Sequence, residues 1–61
     1  MPIVDITLIE GRTDEDKTRL LQKVADAIHE AIAAPKETIR IIIREVPANH
    51  FSVGGVAKTK K

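Results

Sequence analysis

The sequence contains no cysteine, no tryptophan and no tyrosine, and its only aromatic residue is Phe51. Without cysteine no disulfide can staple the fold, and the absence agrees with a cytoplasmic location. With one aromatic ring the core has to be aliphatic, built from Ile, Val, Leu and Ala. The only histidines, His29 and His50, lie far apart in sequence with no ligand cluster around them, which argues against a structural zinc site. Neither has a Ser or Cys nucleophile at a recognisable spacing, so no catalytic triad can be argued. No stretch approaches the ~20 apolar residues of a membrane span, and no basic segment leads into the apolar core of a secretory signal. The formal net charge is only +1, too small a field to recruit nucleic acid or an acidic membrane, and the aromatics for stacking on bases are missing. The local exception, the basic tail at residues 58–61, reads as a solvated chain end.

What is present is short and strongly patterned. Sixty-one residues allow one domain, 1–61, and a domain of this size buries only about 60% of the surface its unfolded chain exposes. With disulfides excluded and zinc disfavoured, oligomerisation is the natural source of further stability. Residues 2–9 (PIVDITLI) are short and β-branched, as a strand requires. Val4, Ile6 and Leu8 fall on one face, and Ile3, Asp5, Thr7 and Ile9 on the other. Gly11 supplies a turn, and Thr13 or Asp14 can cap a helix, with Thr13 and Asp16 spaced as a weak capping box. Acids at 14, 15 and 16 suit the positive end of the helix. Leu20, Leu21, Val24, Ala27, Ile28, Ala31 and Ile32 then recur at helical spacing. The helix is expected from 14 to about 33, ended by Pro35. Residues 38–46 (TIRIIIREV) form a second strand, with Ile39, Ile41 and Ile43 on one face and Arg40, Ile42, Arg44 and Val46 on the other. Pro47 stops it, and Gly54-Gly55 marks a tight return into a short hairpin.

Strand, helix, strand is the order of a right-handed crossover between parallel strands. The expected architecture is α+β, a small β-α-β unit with a C-terminal hairpin. One such unit has open sheet edges and an uncovered face carrying Ile3, Ile9, Ile42 and Val46. Edges and apolar faces of this kind need a partner, so a homo-oligomer is expected.

Few residues can carry chemistry. Pro2 becomes a chain-terminal secondary amine if Met1 is removed. An ordinary α-amino group titrates at about 7.7–8.0, and burial or a nearby cation lowers that value, giving a competent general base near neutrality. Taken alone, Pro2 is also a plain strand starter. Arg12 follows the glycine turn, and Arg40 interrupts an Ile-rich strand, where it either pairs with Asp5 or Glu45 or waits for an anionic ligand. Arg44, two residues beyond on the same face, is expected first to pair with Asp5 and second to contact an anion. His29 belongs to the surface or an interface. Phe51 either caps the core or walls a pocket that excludes water from a base.

Together these segments resemble the 4-oxalocrotonate tautomerase family over essentially the whole chain. The resemblance lies in Pro-Ile at 2–3, LIEGRTDE at 8–15, Ala-Pro at 34–35, IRIII at 39–43 and HFSVGG at 50–55, in this order and spacing. It implies dimers whose sheets join into a four-stranded layer, three of which make a hexamer. It implies that Pro2 is the amino-terminal base, moving a proton between the enol oxygen and a carbon of a dienoic acid. Arg12 would hold the distal carboxylate of the substrate. Arg40, from a neighbouring subunit, would contact the carboxylate and oxygen at the reacting end. Phe51, with Ile9 and Val53, would form the apolar wall that keeps the amine neutral. Two guanidinium groups would then bind a dicarboxylate such as 2-hydroxymuconate, stabilise the developing dienolate and lower the amine pKa, with no metal or organic cofactor required. A role in aromatic hydrocarbon catabolism is implied by the resemblance only.

Two other readings compete. A related dehalogenase or hydratase would use an ionised Pro2 as an acid and need a water-activating carboxylate, for which Glu10 and Glu45 are the available groups. A non-catalytic oligomeric binding module would explain the interface-rich pattern, but not the joint presence of Arg12, Arg40 and Phe51.

Overall fold

The computed structural model describes residues 1–58 of the chain. Strand β1 covers Ile3–Ile9, helix α1 Asp14–Ile32 and strand β2 Arg40–Val46, and a terminal hairpin follows from β3 (Ser52–Val53) and β4 (Val56–Ala57). Single 3₁₀ turns at Lys36–Thr38 and Ala48–His50 join α1 to β2 and β2 to β3. The β-α-β unit with its hairpin is the expected architecture. Residue 2 and residues 38–39 prove to lie outside the strands. The 3₁₀ turn before β2 is closed by Thr38 N–H and Oγ1, both donating to the Pro35 carbonyl, at 2.9 and 2.7 Å.

β1 and β2 are parallel, with Ile3 opposite Arg40, Asp5 opposite Ile42 and Ile9 opposite Val46. Residues opposite one another share a sheet face, so this register gathers Val4, Ile6, Leu8, Ile41 and Ile43 under α1. Ile3, Asp5, Thr7, Ile9, Arg40, Ile42, Arg44 and Val46 fall on the far side, which no described element covers. Leu20, Leu21, Val24 and Ile28 of α1 are half-buried against the near face.

Thr13 is the helix cap: its Oγ1 accepts from Asp16 N–H at 3.0 Å. The reciprocal half of a capping box does not form, because the Asp16 carboxylate is taken by Arg19 at 3.0 Å. The helix ends at Ile32, within about one residue of the expected end, but Pro35 is not what ends it. Ala33 adopts a left-handed conformation (φ 58°) and its N–H closes on the His29 carbonyl at 2.9 Å, before Pro35 is reached. At the other end of the chain, Gly54 and Gly55 both have positive φ (62° and 87°), the geometry that lets a two-residue turn match the twist of a hairpin. The tail at residues 59–61 lies outside the described residues.

The aliphatic core is thin. Among the described residues only Ile39 and Ala48 are buried, while Ile3, Ile32, Val53 and Val56 are each more than 60% exposed. The Cα radius of gyration is 14.4 Å, against about 10–11 Å for a compact chain of this length. Its least dimension is 14 Å, the thickness of one helix laid on one sheet. No described helix is long and apolar enough to cross a membrane.

Candidate active site

Pro2 precedes β1, and its carbonyl accepts from Arg40 N–H at 3.0 Å. The parallel register therefore brings the first residue of β2 beside the start of the chain. The Arg40 guanidinium does not pair with Asp5 or Glu45. Its Nη1 donates to the Glu37 carbonyl at 2.7 Å. Period-two geometry explains half of this: Glu45 shares the α1-facing side with Ile41 and Ile43, where Lys17 reaches it at 3.1 Å, while Arg40 belongs to the opposite face. Asp5 lies opposite Ile42, diagonally next to both Arg40 and Arg44, and it pairs with Arg44. Arg44 Nε and Nη2 donate to the two Asp5 carboxylate oxygens at 2.9 and 3.3 Å, the structural role expected first for Arg44.

The other end of the same ladder builds a second constellation. Ile9 and Val46 are paired at the C-terminal ends of the strands. With Thr7, Leu8, Arg12 and Phe51 they line a cleft of about 440 Å³. Gly11 (φ 133°) turns the chain out of β1 and sets Arg12 at the cleft. Phe51 is held by its own N–H, which donates to the Ala48 carbonyl, and by its carbonyl, which accepts from Lys58 N–H at 2.8 Å. An adjoining cleft of about 460 Å³ shares Leu8 and Arg12 and runs along α1 past Arg19 and Lys23. In that cleft Lys17 is paired with Glu45 and Asp14, and Arg19 with Asp16. The hydrogen bond and charge of Glu45 hold the Lys17 ammonium above its ordinary pKa. Arg12 makes no ion pair with any described residue, so a cation free to take an anionic ligand stands against an apolar wall.

Three of the candidate residues, Ile9, Arg12 and Phe51, thus meet in one cleft. Pro2 and Arg40 lie at the far end of β1, about 20 Å away at ~3.3 Å per residue. Val53 sits on the hairpin, 73% exposed and outside the cleft lining. Val46 belongs to the cleft; sequence reasoning placed it on the uncovered face with Ile9 but did not name it as a site residue. The signal for that role is the strand register, which pairs Val46 with Ile9. His29 is exposed, with Nδ1 2.8 Å from the Ala34 carbonyl, and His50 is exposed at the end of its 3₁₀ turn. Among the described residues no group of three or more metal-capable side chains converges.

Residues 2–61 match the family model for tautomerase enzymes. The chain belongs to the tautomerase family. It is 45% identical over 98% of its length, and 95% of the relative's, to the 2-hydroxymuconate tautomerase of Pseudomonas sp. (strain CF600). Its fold is similar to that of a 4-oxalocrotonate tautomerase isozyme from Methylibium petroleiphilum (TM-score 0.85, 46% identity, 92% of this chain and 90% of that one). It is also similar to a heterohexamer 4-oxalocrotonate tautomerase from Chloroflexus aurantiacus J-10-fl (TM-score 0.87, 38% identity, 93% and 92% covered). With this sequence and this β-α-β fold, the chain is a 4-oxalocrotonate tautomerase-like isomerase.

Proposed function

We propose that the chain, once Met1 is removed, interconverts the enol and keto forms of an unsaturated 2-hydroxy/2-oxo dicarboxylic acid such as 2-hydroxymuconate, and does so as a homohexamer of single-domain subunits. The observation that carries this reading is the unpaired Arg12 in an apolar cleft with Ile9 and Phe51. A guanidinium against an apolar wall suits a substrate with a carboxylate at the end of a conjugated carbon chain.

In this reading the Pro2 nitrogen accepts the proton of the 2-hydroxyl group and returns it to a carbon of the conjugated chain. The negative charge that develops on the oxygen in between is stabilised by Arg40. Following the family resemblance, the reading takes this guanidinium from a neighbouring subunit, where it leaves the Glu37 carbonyl that holds it in the single chain. Arg12 binds the distal carboxylate. Phe51 and Ile9, with Val53 closing over them, exclude water, and the cations lower the pKa of the Pro2 amine so that it is neutral at working pH. Since ~20 Å of β1 separates Pro2 from Arg12 of the same chain, the complete site joins ends of different copies. The thin core and exposed Ile3, Ile42 and Val53 support that association. No cofactor takes part.

The test follows the ultraviolet absorbance of 2-hydroxymuconate with Met1-free protein and with its Pro2→Ala variant. Rapid decay that falls by about two to four orders of magnitude in the variant, the usual worth of a general base, supports the reading. Equal rates for both proteins would remove Pro2 from the mechanism, and no acceleration over buffer would remove this substrate.

A further inference from the structure

The face of the β1–β2 sheet turned away from α1 is apolar except for Thr7, the charges of Asp5 and Arg44 near its centre and Arg40 at one end, where the Glu37 carbonyl holds the guanidinium. Ile3 and Ile42 stand exposed on it, and Ile9 and Val46 close the other end. Amid them Asp5 and Arg44 form their two-bonded pair, with the side chains 51% and 60% exposed. Among the described residues Asp5 is the only carboxylate on this face. Arg44 uses two of the five N–H donors of a guanidinium on it, and each Asp5 oxygen accepts one bond and has capacity for another. A partner that covers the apolar residues also removes water from this pair. Its remaining donors and acceptors then require complementary groups on the partner.

A second copy of the same face meets that requirement. In a closed symmetric assembly residue i of one copy meets residue j of another, and the converse also holds. Arg44 of each copy can then find Asp5 of a neighbour, and a pair made of one charge of each sign is complementary to itself. We infer that the Asp5–Arg44 pair is a recognition element of the subunit interface, which makes the chain assemble with its own kind and reject copies whose charges are arranged otherwise. The inference rests on the homohexamer reading above and adds to it the residues that select the partner. Selection of this kind has a use in a fold whose members include a heterohexamer, the Chloroflexus aurantiacus protein, because like and unlike β-α-β chains offer one another similar apolar faces. One misplaced charge on such a face discriminates more strongly than a change in its apolar contacts.

The test uses a chain with both charges exchanged, Asp5→Arg with Arg44→Asp, which keeps the pair within each copy and reverses it toward neighbours. This chain, carrying a C-terminal affinity tag, is co-expressed with the untagged wild type, and the captured assemblies are weighed by native mass spectrometry. We expect hexamers of each chain alone, with mixed hexamers depleted about tenfold or more below the statistical distribution, as a discrimination of one power of ten requires. Free statistical mixing would overturn the inference and leave the hexamer intact. A monomeric wild type would instead overturn the hexamer reading itself. Should the exchanged chain not assemble by itself, the single variants decide. Asp5→Arg and Arg44→Asp are each expected to lose self-assembly and to recover it when combined. If each assembles alone as well as the wild type, the inference fails.

Discussion

Arg12 and Arg44 are both exposed guanidinium groups at the sheet, and the structure gives them opposite fates. Arg44 is held by Asp5, whose hydrogen bonds and charge keep the guanidinium protonated beyond its ordinary range. Arg12 has no carboxylate partner among the described residues and faces the cleft of Ile9 and Phe51. Arg12→Ala is therefore expected to leave the fold intact and to weaken substrate binding. Loss of one charge-assisted contact to a distal carboxylate should raise KM roughly 10- to 100-fold with little change in kcat. Steady-state kinetics on 2-hydroxymuconate separate the two parameters, and an unchanged KM would dissociate Arg12 from the substrate. The sequence singles out both arginines but cannot say which of Arg40 and Arg44 takes Asp5. They flank it symmetrically in the register, and the choice follows from the chain entering β2, where the Glu37 carbonyl claims Arg40.

At the scale of elements, the two strands and the helix were legible because each repeats its own period: alternate apolar residues in β1 and β2, and a Leu20–Val24–Ile28 stripe in α1. The helix terminus was legible to within about one residue, but the device that sets it was not. Proline constrains only the residue before it, whereas the helix stops at Ile32 because Ala33 turns left-handed. That conformation costs an L-residue about 1–2 kcal/mol relative to glycine, part of which glycine returns as lost unfolded-chain entropy. Ala33→Gly is expected to stabilise the protein by about 0.5–1 kcal/mol, seen as a rise of a few degrees in Tm at fixed protein concentration; a fall in Tm would contradict the cap geometry. The next link is tethered from outside by a salt bridge from Lys36 to Asp26 on α1. The Lys36 hydrogen bond, then its charge, hold the Asp26 carboxyl below its ordinary value of 3.8. A carboxylate depressed in the folded state contributes stability above its unfolded pKa and loses it as pH falls through the folded one. Wild type should therefore exceed Asp26→Asn in Tm near neutrality, by a small margin for so exposed a pair, and the gap should close at strongly acidic pH. A gap independent of pH would assign the effect to something other than this ion pair.

At the scale of the whole molecule, the chain is open for its length. A radius of gyration of 14.4 Å, only two buried residues among those described and a sheet face left uncovered by the described elements are what a chain expected to take a partner would show. The distance from Pro2 to Arg12 follows from reading residues 2–9 as a strand, whereas a single sequence carries no register between copies and does not say which copy would supply which end of the proposed site. Pro2 and Arg12 are close in numbering, yet β1 lies between them. The proposed chemistry turns on the nitrogen of Pro2. While Met1 remains attached, that nitrogen is a tertiary amide without basicity; once Met1 is gone, it is a secondary amine. The most direct measurement compares 2-hydroxymuconate decay by Met1-free chain with decay by chain retaining Met1, each verified by intact mass and both folded to the same helix content. Turnover confined to the Met1-free chain is the predicted result, and substantial turnover by the Met1-bearing chain would contradict it.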